Sequence, residues 1–118
     1  MPKILIVDDS GYTRMMIKDA LALDGLKDIE EASSGEEAVK KALATKPALI
    51  LLDLILVGKS GMEALAEIKK SLPKTKVVVI SAVSQPSYFK NAKELGADAY
   101  LTKPIGAKEI RDKVKQAL

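Results

Sequence analysis

Apolar and polar positions follow two alternating rhythms along the chain. Short β-rich runs fall at Lys3–Val7, Asp28–Glu31, Ala48–Leu52, Lys76–Ile80 and Ala99–Thr102. Each is succeeded by a stretch of helical periodicity, which predicts helices over Ser10–Leu23, Gly35–Ala44, Met62–Ser71, Pro86–Leu95 and Ala107–Leu118. In the last of these, Ile110, Val114 and Leu118 recur at i, i+4 and i+8 and mark one buried stripe. Ser10 and Ser34 suit helix N-caps, Gly25 and Gly96 stand where helices stop, and Pro47 and Pro73 fall in connections before strands, where a missing N–H is tolerated.

The first, third and fourth runs are continuously apolar over Ile4–Val7, Leu49–Leu52 and Val77–Ile80, as strands covered by helices on both faces must be. The second and fifth are shorter and more polar, which suits the edges of a sheet. Five uninterrupted βα units predict an α/β fold: a doubly wound, five-stranded parallel sheet in a three-layer αβα sandwich, with residues 1–118 forming one domain. In such sheets ligands bind beyond the carboxyl ends of the strands.

The inventory narrows the chemistry. The 118 residues include no histidine and no cysteine, which excludes disulfides, thiolate metal sites, imidazole acid–base catalysis and the usual zinc sites. There is no signal peptide and no apolar run of membrane-spanning length, so a soluble, cytoplasmic protein without a membrane partner is expected. The net charge of +3 hides an asymmetry: residues 1–60 carry eight basic and ten acidic side chains, residues 61–118 eleven and six. The basic half suits an acidic partner surface. With no arginine cluster and only four aromatic residues, a nucleic-acid partner is not expected. A single Asn and two Gln beside abundant Lys and Glu fit a thermophilic source or an engineered, consensus-like sequence.

The residues at the carboxyl ends of the strands carry the chemistry. The first strand ends Val7-Asp8-Asp9-Ser10, the third Leu52-Asp53, the fourth Ile80-Ser81-Ala82, and the fifth runs through Tyr100-Leu101-Thr102-Lys103-Pro104. In a parallel sheet these ends share one edge, so three carboxylates, a hydroxyl and a lysine meet there. Singly, each has a plainer role: Asp9 or Ser10 as a helix cap, Asp53 as a turn residue, Lys103 as a solvated charge. Together they say more. Carboxylates gathered closely need a cation or a proton between them, and oxygen-only donors select a hard ion, Mg²⁺ or Mn²⁺. A lysine facing them suits phosphoryl oxygens. The combination serves phosphoryl transfer, which needs positioning and charge neutralisation more than covalent machinery.

In this order and spacing, Asp8-Asp9, Leu52-Asp53-Leu54, Ser81-Ala82 and Lys103-Pro104 resemble the receiver domain of two-component response regulators, and the resemblance covers essentially the whole chain. It implies the flavodoxin-like strand order 2-1-3-4-5. It implies that Asp53 is the phosphoacceptor, taking its phosphoryl group from a histidine kinase, with Mg²⁺ held by Asp8, Asp9, Asp53 and the main-chain carbonyl of Ile55. Lys103 would pair with the phosphoryl group, its bond to Pro104 being cis. Ser81 would donate its hydroxyl to a phosphoryl oxygen and shift toward it, while the small Ala82 leaves room. Tyr100 matches the aromatic switch position that turns inward, or is simply a half-buried tyrosine on an edge strand.

On this reading the chain is not an enzyme beyond its own aspartyl phosphorylation and dephosphorylation. It is expected to be a monomer that signals through a face built from residues 86–118 and, with Leu118 ending the last helix, to carry no output domain. Ser81-Ala82-Val83-Ser84-Gln85 is similar to chemotaxis members, whose downstream partner is a motor component. The alternatives are a phosphorelay intermediate serving a histidine phosphotransfer protein, and an engineered or excised receiver scaffold with no signalling role.

The sequence also departs from the family pattern. Gly61 matches the usual glycine, but Val57 replaces the usual proline, which takes one source of stiffness from the segment between Asp53 and Gly61. Ile55 and Val83 stand two residues beyond Asp53 and Ser81, where apolar side chains are expected to shield an acyl phosphate from in-line water. Gly58-Lys59-Ser60 imitates the end of a P-loop, but the glycine required five residues earlier is Asp53, so no nucleotide site is expected. Of Met15 and Met16, at least one is expected in the core.

Overall fold

The computed structural model describes residues 1–118, and the two rhythms become strictly alternating elements. In chain order these are β1 (Ile4–Val7), α1 (Gly11–Ala22), β2 (Ile29–Ala32), α2 (Gly35–Thr45), β3 (Leu49–Leu52), α3 (Gly61–Ser71), β4 (Lys76–Ser81), α4 (Pro86–Glu94), β5 (Ala99–Thr102) and α5 (Ala107–Ala117). All strands pair in parallel, in the order β2-β1-β3-β4-β5. The polar runs are the edge strands, because only an edge leaves their side chains partly in water.

The central strands show why continuous apolar runs were needed. Along β1, Leu5 and Val7 point into one layer and Ile4 and Ile6 into the other. The same division separates Ile50 and Leu52 from Leu49 and Leu51, and Val77 and Val79 from Val78 and Ile80. The first layer is closed by Ala38 and Ala42 of α2, Ala64, Leu65 and Ile68 of α3, and Ala92 of α4. The second is closed by Ile17 and Leu21 of α1 and by Ile110 and Val114 of α5. Each large aliphatic side chain buried this way contributes about 1.5–3 kcal/mol, so both faces of the sheet hold the fold.

Side-chain caps fix where three helices begin. The hydroxyls of Ser10, Ser34 and Ser60 accept the N–H groups of Thr13, Glu37 and Glu63. The Glu37 carboxylate in turn accepts the Ser33 N–H at 2.6 Å. Each cap satisfies an N–H that the first turn leaves free and is worth about 1 kcal/mol.

Two expectations fail. Met15 and Met16 are both on the surface, 51 % and 38 % exposed, because the buried face of α1 is already filled by Ile17, Ala20 and Leu21. The stripe of α5 stops at Val114: Leu118 lies past the helix end and is 47 % exposed, and Ala117 packs against the core instead. No helix is long and apolar enough to cross a membrane.

Candidate functional site

Backbone pairing delivers the site residues to one edge of the sheet. The Asp8 N–H donates to the Ala32 carbonyl, the Asp53 N–H to Val7, and the Lys103 N–H to Ser81, so each residue leaves its strand one step beyond the ladder. The Lys103–Pro104 bond there is cis. Asp8 and Asp53 are 2 % and 6 % exposed, Ser81 is fully buried, and Asp9 and Ala82 face solvent.

Lys103 bridges the two buried carboxylates, with Nζ 2.8 Å from Asp8 Oδ2 and 2.9 Å from Asp53 Oδ2. The remaining oxygens are held by main chain: Ser10 N–H donates to Asp8 Oδ1 at 2.9 Å, and Ile55 N–H to Asp53 Oδ1 at 3.0 Å. One carboxylate oxygen from each of Asp8, Asp9 and Asp53 lies within 4.8 Å of the others. Two of these three carboxylates share a single ammonium group, and Asp9 lies beside them without a bond to it.

The electrostatics reflect that shortage. Burial pushes the Asp53 carboxyl above its ordinary range, and the charge of Asp8 adds to the effect, against the bonds from Ile55 and Lys103. For Lys103, burial works against the charged form, but its bonds to Asp8 and Asp53 outweigh it and hold the ammonium above the usual lysine range. The donor set fits a hard divalent cation: all oxygen, clustered, under-neutralised and open to solvent on the Asp9 side. Asp8, Asp9 and Asp53 would hold such an ion.

A second arrangement ties the site to the α4–β5 side. Ser81 Oγ accepts the Val83 N–H at 3.2 Å, and the Tyr100 hydroxyl donates to the Val83 carbonyl at 2.6 Å. The Tyr100 ring also meets Phe89 of α4 edge-on, with centroids 4.3 Å apart. Both side chains singled out as switch positions thus converge on one residue of the β4–α4 loop. Ile55 is 54 % exposed beside Asp53, and Val83 is half-buried.

The P-loop imitation is taken up by structural roles. Ser60 caps α3, and the Lys59 ammonium pairs with Glu67. Sequence reasoning missed Arg14, which donates from Nη1 to the Asp8 carbonyl at 2.6 Å and from Nε to Glu31 at 2.9 Å. Its position one helical turn after Ser10 was the available signal. Sequence reasoning also missed Glu36, which accepts the Lys59 N–H at 2.7 Å and has no local signature at all.

Comparison with known proteins agrees with this geometry. The chain is 34 % identical over 116 residues to the chemotaxis protein CheY of Bacillus subtilis, covering 98 % of this chain and 97 % of that protein. It is 36 % identical over 115 residues to the response regulator protein VraR of Staphylococcus aureus, covering 97 % of this chain but 55 % of VraR. The crystal structure of a CheY-like receiver domain protein from Methanospirillum hungatei superposes with a TM-score of 0.93 at 28 % identity, covering 98 % of this chain and 92 % of that one. Residues 4–115 match the sequence model of the response regulator receiver domain, and the chain belongs to that family.

Proposed function

We propose that the chain is a phosphorylation switch that takes a phosphoryl group from a histidine kinase onto Asp53 and signals by protein contact, in chemotaxis. The observation that carries the reading is the buried Asp53 carboxylate, raised above its ordinary range and sharing Lys103 with Asp8. The 34 % identity to a chemotaxis protein over 116 residues supports the pathway.

In the transfer, a carboxylate oxygen of Asp53 forms a bond to phosphorus as the phosphorus–nitrogen bond of the donor phosphohistidine breaks. The released nitrogen keeps the electron pair and takes up a proton. A Mg²⁺ ion held by Asp8, Asp9, Asp53 and the Ile55 carbonyl would neutralise the charge on the phosphoryl oxygens. Lys103 is already within reach of Asp53 and moves its ammonium from the carboxylate to a phosphoryl oxygen. Ser81 gives up its bond from Val83 and donates to another phosphoryl oxygen. Because Tyr100 is bonded to the same Val83, the change reaches the face formed by α4, β5 and α5, where the partner binds.

The test uses a purified chemotaxis histidine kinase, radiolabelled on its histidine, mixed with the chain and Mg²⁺. Label should pass to the wild type and not to Asp53→Asn, and the wild type alone should restore swimming bias to a strain lacking its chemotaxis receiver. Retention of the label on the kinase would sink the proposal. Transfer without rescue would remove the chemotaxis assignment.

A further inference from the structure

The segment between Asp53 and Gly61 lacks the proline usual in the family, yet it is pinned along its whole length. At its ends, the Gly61 N–H donates to the Leu54 carbonyl and the Ile55 N–H to Asp53 Oδ1, both at 3.0 Å. Its middle is fastened to the start of α2. Ser34 and Val57 form an isolated parallel bridge. A Cβ at Gly35 would overlap the Lys59 carbonyl, so the two backbones meet with no space between them. The Glu36 carboxylate accepts the Lys59 N–H at 2.7 Å and lies over Gly58, where an added Cβ would stand 2.8 Å from Oε2. Gly58 has a φ of 76°, which a side chain would strain as well. The N–H groups of Glu36 itself and of Lys59 hold the Glu36 carboxyl below its usual range.

Glu36 is exposed, and a glutamate in the first turn of a helix has an ordinary role in complementing the helix dipole. That role explains neither why the carboxylate is turned onto the main chain of another loop nor why Gly35 and Gly58 leave room for the approach. The loop it holds carries Ile55, whose N–H fixes Asp53 and whose carbonyl would join the three aspartates in the cation reading above.

We propose that Glu36 is a positioning residue: by clasping the Lys59 N–H it holds the Asp53–Gly61 loop in the shape that binds the divalent cation, doing from α2 what a loop proline would do from within. The proposal rests on the cation reading above. Removing the clasp lets the loop sample other shapes, and only part of that ensemble is competent to bind, which lowers the apparent affinity. Partners that orient ligands from behind typically change affinity by about 10–100-fold. Glu36 acts through an intervening loop, so about threefold to tenfold is expected.

The experiment titrates Mg²⁺ alone into the full chain by calorimetry, for wild type, Glu36→Ala and Glu36→Gln, with amide hydrogen exchange at Lys59 measured in parallel. Glu36→Ala should weaken Mg²⁺ binding by about threefold to tenfold and speed exchange at Lys59. Glu36→Gln keeps an acceptor oxygen while losing the charge, and should bind within about twofold of wild type. A loss of helix-dipole stabilisation alone would shift the unfolding midpoint and leave Mg²⁺ affinity unchanged. Equal binding by Glu36→Ala and wild type therefore overturns the proposal, as does Glu36→Gln falling as far as Glu36→Ala, which would mean a field effect. If wild type binds no Mg²⁺, the cation reading fails and takes this proposal with it.

Discussion

Two aspartates in this protein sit in ion clusters of similar appearance and behave in opposite ways. Asp24, in the turn after α1, receives a two-pronged contact from Arg111 of α5, at 3.0 Å to Oδ2 and 2.8 Å to Oδ1, with Lys115 3.3 Å away. The Arg111 hydrogen bonds hold its carboxyl down to about 2, against a smaller opposing effect of burial. Asp53 shares one lysine with a second buried carboxylate, and burial drives it upward. The first cluster has two cations for one acid at the rim of the molecule, and the second has one cation bonded to two buried acids, with Asp9 alongside, beyond the sheet. A fully compensated pair fastens α1 to α5, while an under-compensated one suits the cation and the phosphoryl group of the proposed transfer.

The strongest way to break this contrast is to remove the shared lysine. Lys103→Met leaves two buried carboxylates facing each other and should destabilise the fold by about 2–3 kcal/mol in urea unfolding. Adding Asp53→Asn should restore more than half of that loss. A cost below about 0.5 kcal/mol for the single variant would mean that the cluster is solvated in practice. Next, Mg²⁺ at about a hundred times its dissociation constant should stabilise wild type by about 2.7 kcal/mol, and Asp24→Asn by the same amount. Asp53→Asn should gain far less.

The same asymmetry should appear in kinetics. Ile55→Asn replaces an exposed apolar side chain beside the acceptor and should speed loss of the phosphoryl group by roughly tenfold, about 1.4 kcal/mol of barrier. An unchanged rate would show that Ile55 shields nothing. The smallest effect belongs to the rim. Since the folded Asp24 carboxyl titrates near 2 rather than at its ordinary 3.8, its contribution to stability is complete above about pH 4 and lost as pH falls through 2. Asp24→Asn should remove that part of the acid limb of the stability curve. Asp53 has the opposite sign: its charge costs stability once pH rises above the ordinary carboxylate range, so Asp53→Asn should raise the unfolding midpoint at neutral pH.

Most of the fold was legible because its signals are local. Runs such as Leu49–Leu52 need cover on both faces, and Ser10 and Ser34 mark helix starts in the residues beside them. The cluster of Asp8, Asp9, Asp53, Ser81 and Lys103 was legible for a related reason: in a parallel sheet, every strand ends on the same edge. The features that escaped depend on which surface a neighbouring element has already taken. Met15 and Met16 fit an apolar pattern, but Ile17 and Leu21 had filled the buried face of α1. Glu36, in the first turn of α2, meets Lys59 of the β3–α3 loop 23 residues away, and nothing near either residue announces it. The pairing of Asp24 with Arg111, 87 residues away, is hidden in the same way.

The central claim is that Asp53 is the under-compensated carboxylate that takes the phosphoryl group, and it can be tested without any partner protein. Intact mass is measured after incubation with acetyl phosphate, with and without Mg²⁺, for wild type and Asp53→Asn. The account predicts a Mg²⁺-dependent gain of about 80 Da, one phosphoryl group, in the wild type alone. A gain that survives in Asp53→Asn, or no gain under any condition, would contradict it.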